Sequence, residues 1–346
     1  MRLIDRVAQC KQPIVVQSNS AHGFIHLAGA AECAEQVARC GLRYVLSDEL
    51  TRLCAALAYS KGARALECCD LIHVPAEHVW LEWRAAPWVD ELRQFGFRLE
   101  DSNAEFARSR GALITGSRDG RRGTIRTFWD LDNARIDVSA SSMLAHFDLD
   151  GLSESDPIQA GCSLRVSVGE VAGNDILADC FRFQFEPSWA AYYRRANLPE
   201  DARSALEKYC LGTIAPDIPL LLAFFLLLAT RSGLPQNYIC RTRLNRARRR
   251  DGRRSLLDHI EVSAPFIPMD SAPHMADADT RGRHERRLHA VRGHLVRRGG
   301  QVFWRIPHMR GSAHRGVVRT RTVTWSFDGG RANQLETISA VEAFAS

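Results

Sequence analysis

The spacing of apolar and polar residues changes period several times along the chain, and those changes outline its elements. Ala31 to Cys40 has a helical spacing ended by Gly41, Tyr44 to Leu46 is a short β-forming run, and Asp48 to Lys61 is helical again, with Ser47 placed to cap it and Gly62 to stop it. Leu71 to Trp83, LIHVPAEHVWLEW, is rich in strand formers but broken by Pro75, which predicts an edge strand or a bent pair. Ala112 to Thr115, Thr124 to Leu131 and Ala134 to Ser139, separated by SRDGRRG and by Asp132-Asn133, read as a β-meander that Leu164 to Val168 and Phe181 to Phe185 continue. Helices are expected at Ser188 to Ala196 and Glu200 to Leu211. Ile218 to Ala229, IPLLLAFFLLLA, is apolar all round. Its length of about twelve residues falls short of the twenty or so that cross a bilayer, so it predicts a buried helix, with Asp217 as N-cap and Pro219 in the first turn.

These elements predict an α+β fold: a mixed helix and strand body with a β-meander, a helical middle, and a small antiparallel β-rich module at the C-terminus. No period of solenoid or propeller length recurs. The first dozen residues mix Arg2, Asp5, Arg6 and Lys11 with apolar ones, unlike a secretory leader, so a cytoplasmic setting without a membrane partner is expected.

Charge divides the chain more sharply than hydrophobicity does. The formal net charge is only +6, from 46 basic and 40 acidic residues. Residues 236–346, however, hold 21 arginines against 10 acidic residues, leaving 1–235 net negative. The sequence thus suggests an acidic body, 1–235, alternatively divided near 150 with 151–235 mostly helical, and a basic module, 236–346. Arg241 to Arg250, RTRLNRARRR, has six arginines in ten residues. Arginine presents a planar fork that fits phosphate bidentately, which suits nucleic acid. The chain has only three lysines, so arginine use also reflects coding bias, but bias does not explain clustering.

Arg287 to Arg298 and Gln301 to His308 flank Gly299-Gly300, a dipeptide suited to a tight hairpin turn. With that loop, paired positions sum to 599: His294 faces Arg305, Leu295 faces Trp304 and Val291 faces His308. His289 then lies diagonal to His308 on the face of Leu295 and Trp304, while Arg292, His294 and Arg305 share the other. A bulge at Gly293 would move His294 across, and a third strand is expected at Val317 to Trp325. Trp304 and Trp325 could stack on bases or sit in a core, and alternation with Val302 and Ile306 favours the core for Trp304.

Five histidines, His284, His289, His294, His308 and His314, fall within this region. No carboxylate or cysteine lies at ligand spacing beside them and the arginines would repel a cation, so no metal is expected. An acid/base pair, His289 with His308, would suit a metal-independent ribonuclease, and contact with phosphate or ordinary sheet surface is the simpler account. The ten cysteines form no C-x-x-C motif and read as buried reduced thiols. Glu77 with Glu82, and Asp130 with Asp132, are paired carboxylates in number only. The glycines at 111, 120 and 123 lack the setting of a nucleotide loop, so no cofactor is expected.

Three segments, VPAEHVWLEW, LNRARRRDGRRSLLDH and LHAVRGHLVRRGGQVFWRIPHMRG, occur in this order. Together they resemble a set of uncharacterised proteins encoded by proteobacterial phages and prophages, the R-G-H…P-H-x-R-G pattern being the most specific part. The resemblance implies a mobile-element setting inside the host cell and carries no catalytic residue with it. The leading expectation is a nucleic-acid-associated protein that contacts phosphate through Arg246, Arg249, Arg250, Arg292, Arg297, Arg305 and Arg310, with His294 beside them. The alternatives are a ribonuclease or phosphodiesterase using His289 and His308, and an inhibitor or assembly factor whose arginines bind an acidic protein.

Overall fold

The structure is a computed structural model that describes residues 1–9, 14–16, 25–59, 70–94, 107–131, 138–151, 163–164, 180–196, 199–230, 233–264, 287–291, 294–298, 301–305, 308–310 and 312–317. They form an α+β protein of two compact units, one of Met1–Ala229 with Gly233–Ala264 and one of Thr230–Ser232 with Pro265–Ser346.

In chain order the first unit contains α1 (Leu3–Gln9), β1 (Val15–Val16), β2 (Ile25–His26), α2 (Ala30–Arg39), β3 (Leu42–Leu46), α3 (Asp48–Tyr59), β4 (His78–Arg84), α4 (Ala85–Gln94), β5 (Ala107–Gly116), β6 (Arg122–Leu131), β7 (Ser139–Ala140), β8 (Met143–Asp148), β9 (Ser163–Leu164), β10 (Phe181–Phe185), α5 (Pro187–Ala196), α6 (Glu200–Gly212), α7 (Asp217–Leu228), β11 (Gln236–Ile239), α8 (Thr242–Arg250) and β12 (His259–Val262). One sheet runs β11-β12-β3-β4-β5-β6-β7-β1-β2, with β8 joining β6 to β10 and β9 lying on β10. Strands β12, β3 and β4 are parallel, and β4, β5 and β6 form an antiparallel meander. The strand expected at the edge between Leu71 and Trp83 is instead interior. Pro75 precedes β4, so its missing N–H costs the ladder nothing, and five consecutive residues from Val79 to Trp83 are buried because helices cover both faces.

Register assigns the two faces. Tyr44, Leu81, Ala112 and Thr127 lie across one, and Val45, Glu82, Gly111 and Phe128 across the other. On the first, Tyr44 meets Phe224 of α7 edge to face, 5.3 Å between centroids. On the second, the buried Glu82 carboxylate accepts the first free amides of α1, from Leu3 at 3.2 Å and Ile4 at 2.9 Å. Burial pushes the Glu82 carboxyl above its ordinary range, opposed by those amides and by Arg2. Trp80 crosses Gly111 so closely that a Cβ there would stand 2.5 Å from its ring. Asp130 accepts the Ser109 amide at 2.5 Å and lies 3.7 Å from Arg6. Glu82 and Asp130 are therefore structural acceptors, and Asp132 lies outside the described residues.

The apolar run forms α7, with eleven of its twelve residues buried inside this unit. Its first residue, Asp217, is not the expected N-cap, since Pro216 holds that position without a side-chain bond. The carboxylate turns instead into the core and takes a bidentate pair from Arg110 of β5, Nε at 3.0 Å and Nη2 at 2.6 Å. Nη2 also donates to the Thr213 carbonyl at 2.8 Å. The guanidinium lies between the rings of Trp88 and Trp129, 5.1 Å from each. Burial raises the Asp217 pKa and the guanidinium draws it back. Among the described cysteines, Cys33, Cys40, Cys54, Cys180 and Cys210 are buried thiols and Cys240 is exposed. Burial lifts Cys40 and Cys210 to about 11.

The charge shift at Gln236 does not coincide with a unit boundary. Strand β12 pairs in parallel with β3, Ile260 opposite Tyr44, so residues 236–264 belong to the first unit. The second unit contains β13 (Arg287–Val291), β14 (His294–Arg298), β15 (Gln301–Arg305), β16 (His308–Arg310) and β17 (Ser312–Val317). Its two antiparallel ladders keep the expected sum of 599: His294 faces Arg305, Leu295 faces Trp304, Val291 faces His308 and His289 faces Arg310. The pairing sum is the same on either side of Gly293, which itself lies outside the described residues. Strand β17 pairs in parallel with β13, and of the strand expected from Val317 only Val317 itself is described.

Arg110→Met strands the Asp217 carboxylate in an apolar setting and should cost about 3–5 kcal/mol in urea unfolding. Adding Asp217→Leu should return most of that loss, because the double replacement leaves no buried charge without a partner.

Candidate nucleic-acid interface

The free edge of the main sheet carries a basic element built from β11, α8 and β12. Helix α8 has the sequence TRLNRARRR and buries none of its side chains. A nine-residue helix is marginal alone, and like charges three or four residues apart oppose it by about 0.2–0.5 kcal/mol per pair. Local bonds must hold it.

Those bonds are in place. The chain leaves the helix through a Schellman closure: Gly252, at φ 66°, donates to the Arg249 carbonyl at 3.1 Å and Arg253 donates to the Arg248 carbonyl at 2.8 Å. Asn245 locks the return loop with both ends of its amide, donating to the Leu256 carbonyl at 2.7 Å and accepting the Leu256 amide at 2.7 Å. Arg248 donates to the Arg254 carbonyl at 2.8 Å. Asp258 accepts the Arg241 amide at 2.5 Å where the helix begins. The loop is pinned in turn to α1: Leu257 donates to Asp5 at 2.8 Å, Gln9 to the Ser255 carbonyl at 3.0 Å, and Arg254 to the Gln9 carbonyl.

The half-buried positions Arg241, Asn245 and Arg248 form the inward stripe of the helix, four and three residues apart. Opposite them, Arg243, Arg246, Arg249 and Arg250 share an exposed arc. Arg249 donates to the Asn245 carbonyl at 3.4 Å, while the side chains of Arg243, Arg246, Arg250 and Arg253 have no ion pair or hydrogen bond among the described residues. Residues 241–254 carry eight arginines and one aspartate. Three of the arginines lie in the last turn, where the helix dipole favours cations. From Arg243 to Arg250 the element therefore holds a row of guanidinium groups without an ion pair among the described residues, over about 10 Å at ~1.5 Å per residue.

The chain matches no family model, no curated protein and no solved structure. Geometry alone carries the functional argument.

Of the arginines singled out from sequence, Arg246, Arg249 and Arg250 come together on α8. The remainder belong to the second unit. There the ladder places His294 opposite Arg305, Arg297 opposite Val302 and Arg310 opposite His289, and Arg292 lies outside the described residues. Among the described residues, no group of three or more histidine, cysteine or acidic side chains is placed to hold a metal.

Sequence reasoning missed that RTRLNRARRR is helical. The Asp251-Gly252 stop was the available signal. It also missed His259, whose ring is buried at the base of this element. Nδ1 lies 3.4 Å from the Leu257 carbonyl, and Nε2, without a hydrogen bond, lies 3.7 Å from Glu261, itself paired with Arg2 at 2.6 Å. Burial, with Arg2 and Arg241 adding to it, lowers the His259 pKa. Burial likewise lowers that of His146, whose Nε2 meets Gln184 at 3.0 Å.

Asn245→Ala removes both loop bonds and should weaken α8 locally by about 1–3 kcal/mol. Hydrogen exchange across 242–250 should accelerate while the core strands keep their protection. Both histidines are held neutral, so their stabilising effect is present above pH 6.5 and is lost as pH falls through the lowered folded values. Thermal midpoints taken between about pH 7.5 and about pH 5.5 should fall on acidification, and less steeply in His146→Gln/His259→Gln.

Proposed function

We propose that this protein binds nucleic acid through the phosphate backbone, with the exposed arc of α8 as its main contact surface. One observation carries the reading. A short helix without buried side chains is fastened by backbone and amide bonds so that Arg243, Arg246, Arg249 and Arg250 project together, three of them with no partner for the guanidinium among the described residues. Such a charge row opposes its own helix, and a polyanion laid along it removes that repulsion. Guanidinium forks match phosphate oxygens, and the contacts demand no particular base sequence. Arg292, Arg297, Arg305, Arg310 and His294 of the second unit are proposed as further phosphate contacts on the arginine density of that segment.

A second reading has an observation of its own. Strands β13 and β16 pair Val291 with His308 and His289 with Arg310, which makes His289 the diagonal neighbour of His308 across the ladder, about 7–8 Å away along the backbone and within the span of a single phosphodiester. Two histidines so placed suit proton transfer at both ends of a scissile phosphate without a metal.

The test is fluorescence anisotropy of labelled DNA and RNA with the full chain in EDTA, at salt raised from about 50 to about 200 mM. Binding should weaken steeply with salt. Arg246→Ala/Arg249→Ala/Arg250→Ala should lower affinity and reduce the slope of log affinity against log salt by about 2 to 3. Triple-variant binding equal to that of the parent protein overturns the assignment to α8. A gel of the recovered probe reports on the second reading, which requires RNA shortened by the parent protein and left intact by His308→Ala. Poly-glutamate displacing the probe at equal charge would favour an acidic protein partner instead.

A further inference from the structure

Tyr238 sits beside the start of the arginine helix with most of its ring in solvent. It lies on the edge strand β11, opposite Ile260, in the row that continues through Tyr44 on β3. Tyr44 is buried against Phe224 of α7, whereas Tyr238, one strand further out than Ile260, is 64% exposed. It is one of only three large apolar side chains with high exposure among the described residues. The ring is not loose. Its hydroxyl donates to Asp258 Oδ2 at 3.3 Å, while Oδ1 of the same carboxylate accepts the Arg241 amide that begins α8. One carboxylate thus fixes both the aromatic ring and the start of the basic helix. The same carboxylate pushes the phenol pKa up, which keeps the hydroxyl a donor. Arg43, whose Nη1 donates to the Asp258 carbonyl at 3.4 Å, anchors this corner from β3.

We infer that the surface selects single-stranded nucleic acid, with Tyr238 stacking on an unpaired base while the arginines of α8 follow the phosphates. The inference rests on the phosphate-binding reading above and adds the form of the polymer to it. An exposed ring tethered through its hydroxyl gives nothing to a duplex bound through its backbone, because the bases there are already stacked on one another. A single strand offers its base faces freely, and stacking tolerates any sequence. The tether at the hydroxyl restricts the ring before binding, which reduces the ordering cost of the contact.

The experiment compares oligo(dT) and oligo(U) with a duplex of equal length for the full chain, Tyr238→Ala, Tyr238→Phe and the triple arginine variant. Single strands should bind more tightly than the duplex. Tyr238→Ala should weaken single-strand binding by roughly five- to a hundredfold and leave duplex binding within about twofold, and Tyr238→Phe should retain most of the affinity. Melting temperature should not move, since the ring is largely in water. Loss of binding in the triple arginine variant combined with unaltered single-strand affinity in Tyr238→Ala overturns the stacking role and leaves phosphate binding standing. Binding unaffected by the arginine substitutions overturns the phosphate reading itself. Equal or tighter binding of the duplex also overturns the inference. Tyr238→Trp supplies a second readout, because its indole fluorescence should quench as oligo(dT) binds, and an unchanged signal at saturation counts against stacking.

Discussion

The guanidinium of Arg110 organises the first unit. It rises from β5 into the helical layer, where Asp217 at the start of α7 meets it with both carboxylate oxygens, the Thr213 carbonyl takes a further N–H, and two indole rings cover its faces. A charge this deeply buried is stable only when its donors are met and a counter-charge lies close. The helix that follows is apolar all round and could slide or rotate against a greasy sheet at little cost. The ion pair sets its position relative to β5, which fixes where Phe224 meets Tyr44 of β3. Position of the sheet then passes outward through β3 to β12 and β11.

That outer edge is built on the opposite principle. Where the core hides charge behind complete pairing, α8 displays charge and is kept in place with none of its side chains buried. Its fastenings are one asparagine amide, a glycine in the left-handed region, one aspartate, and a return loop tied to α1. None of these bonds uses the guanidinium groups of Arg243, Arg246 or Arg250. The division of labour is clear on the inward stripe, where even Arg248 spends its Nε on a backbone carbonyl. Repulsion among the outer arginines is held in check by geometry and the helix dipole, and it is the part of the structure that a bound polyanion would relieve.

Much of this was legible in the residues. Helices at Ala30–Arg39, Asp48–Tyr59, Pro187–Ala196 and Glu200–Gly212 follow from apolar spacing and from Gly and Ser punctuation, and the strand Phe181–Phe185 from its alternation. The 599 register of the C-terminal ladders follows from a two-residue turn, because a hairpin's loop length fixes every pair beyond it. What escaped was non-local. Asp217 has the local signature of a cap, and only the approach of Arg110, more than a hundred positions earlier in the chain, reveals it as a counter-ion. Pro75 signals an edge strand until β4 is seen to begin after it. The arginine helix escaped because its periodicity is written in Arg241, Asn245 and Arg248 rather than in apolar residues, and hydrophobic patterning is silent there.

The same blindness explains why composition misplaces the boundary between the units. Arginine density rises at Gln236, but β11, α8 and β12 complete the main sheet by pairing beside β3, with the apolar Val262 fully buried next to Leu46. A cut at the compositional step would strip a parallel neighbour from β3 and leave α8 without the sheet edge and the α1 loop contacts that hold its arginines in a row. The positive surface is thus not a detachable tail on an acidic body. It is the outermost layer of that body's own sheet, and of the acidic residues around it Asp251 closes the helix at its C-cap while Asp5, Asp258 and Glu261 serve its attachment through backbone amides and Arg2. Asp5, Asp258 and Glu261 are thereby engaged with the scaffold, and on α8 itself arginines outnumber the single capping aspartate.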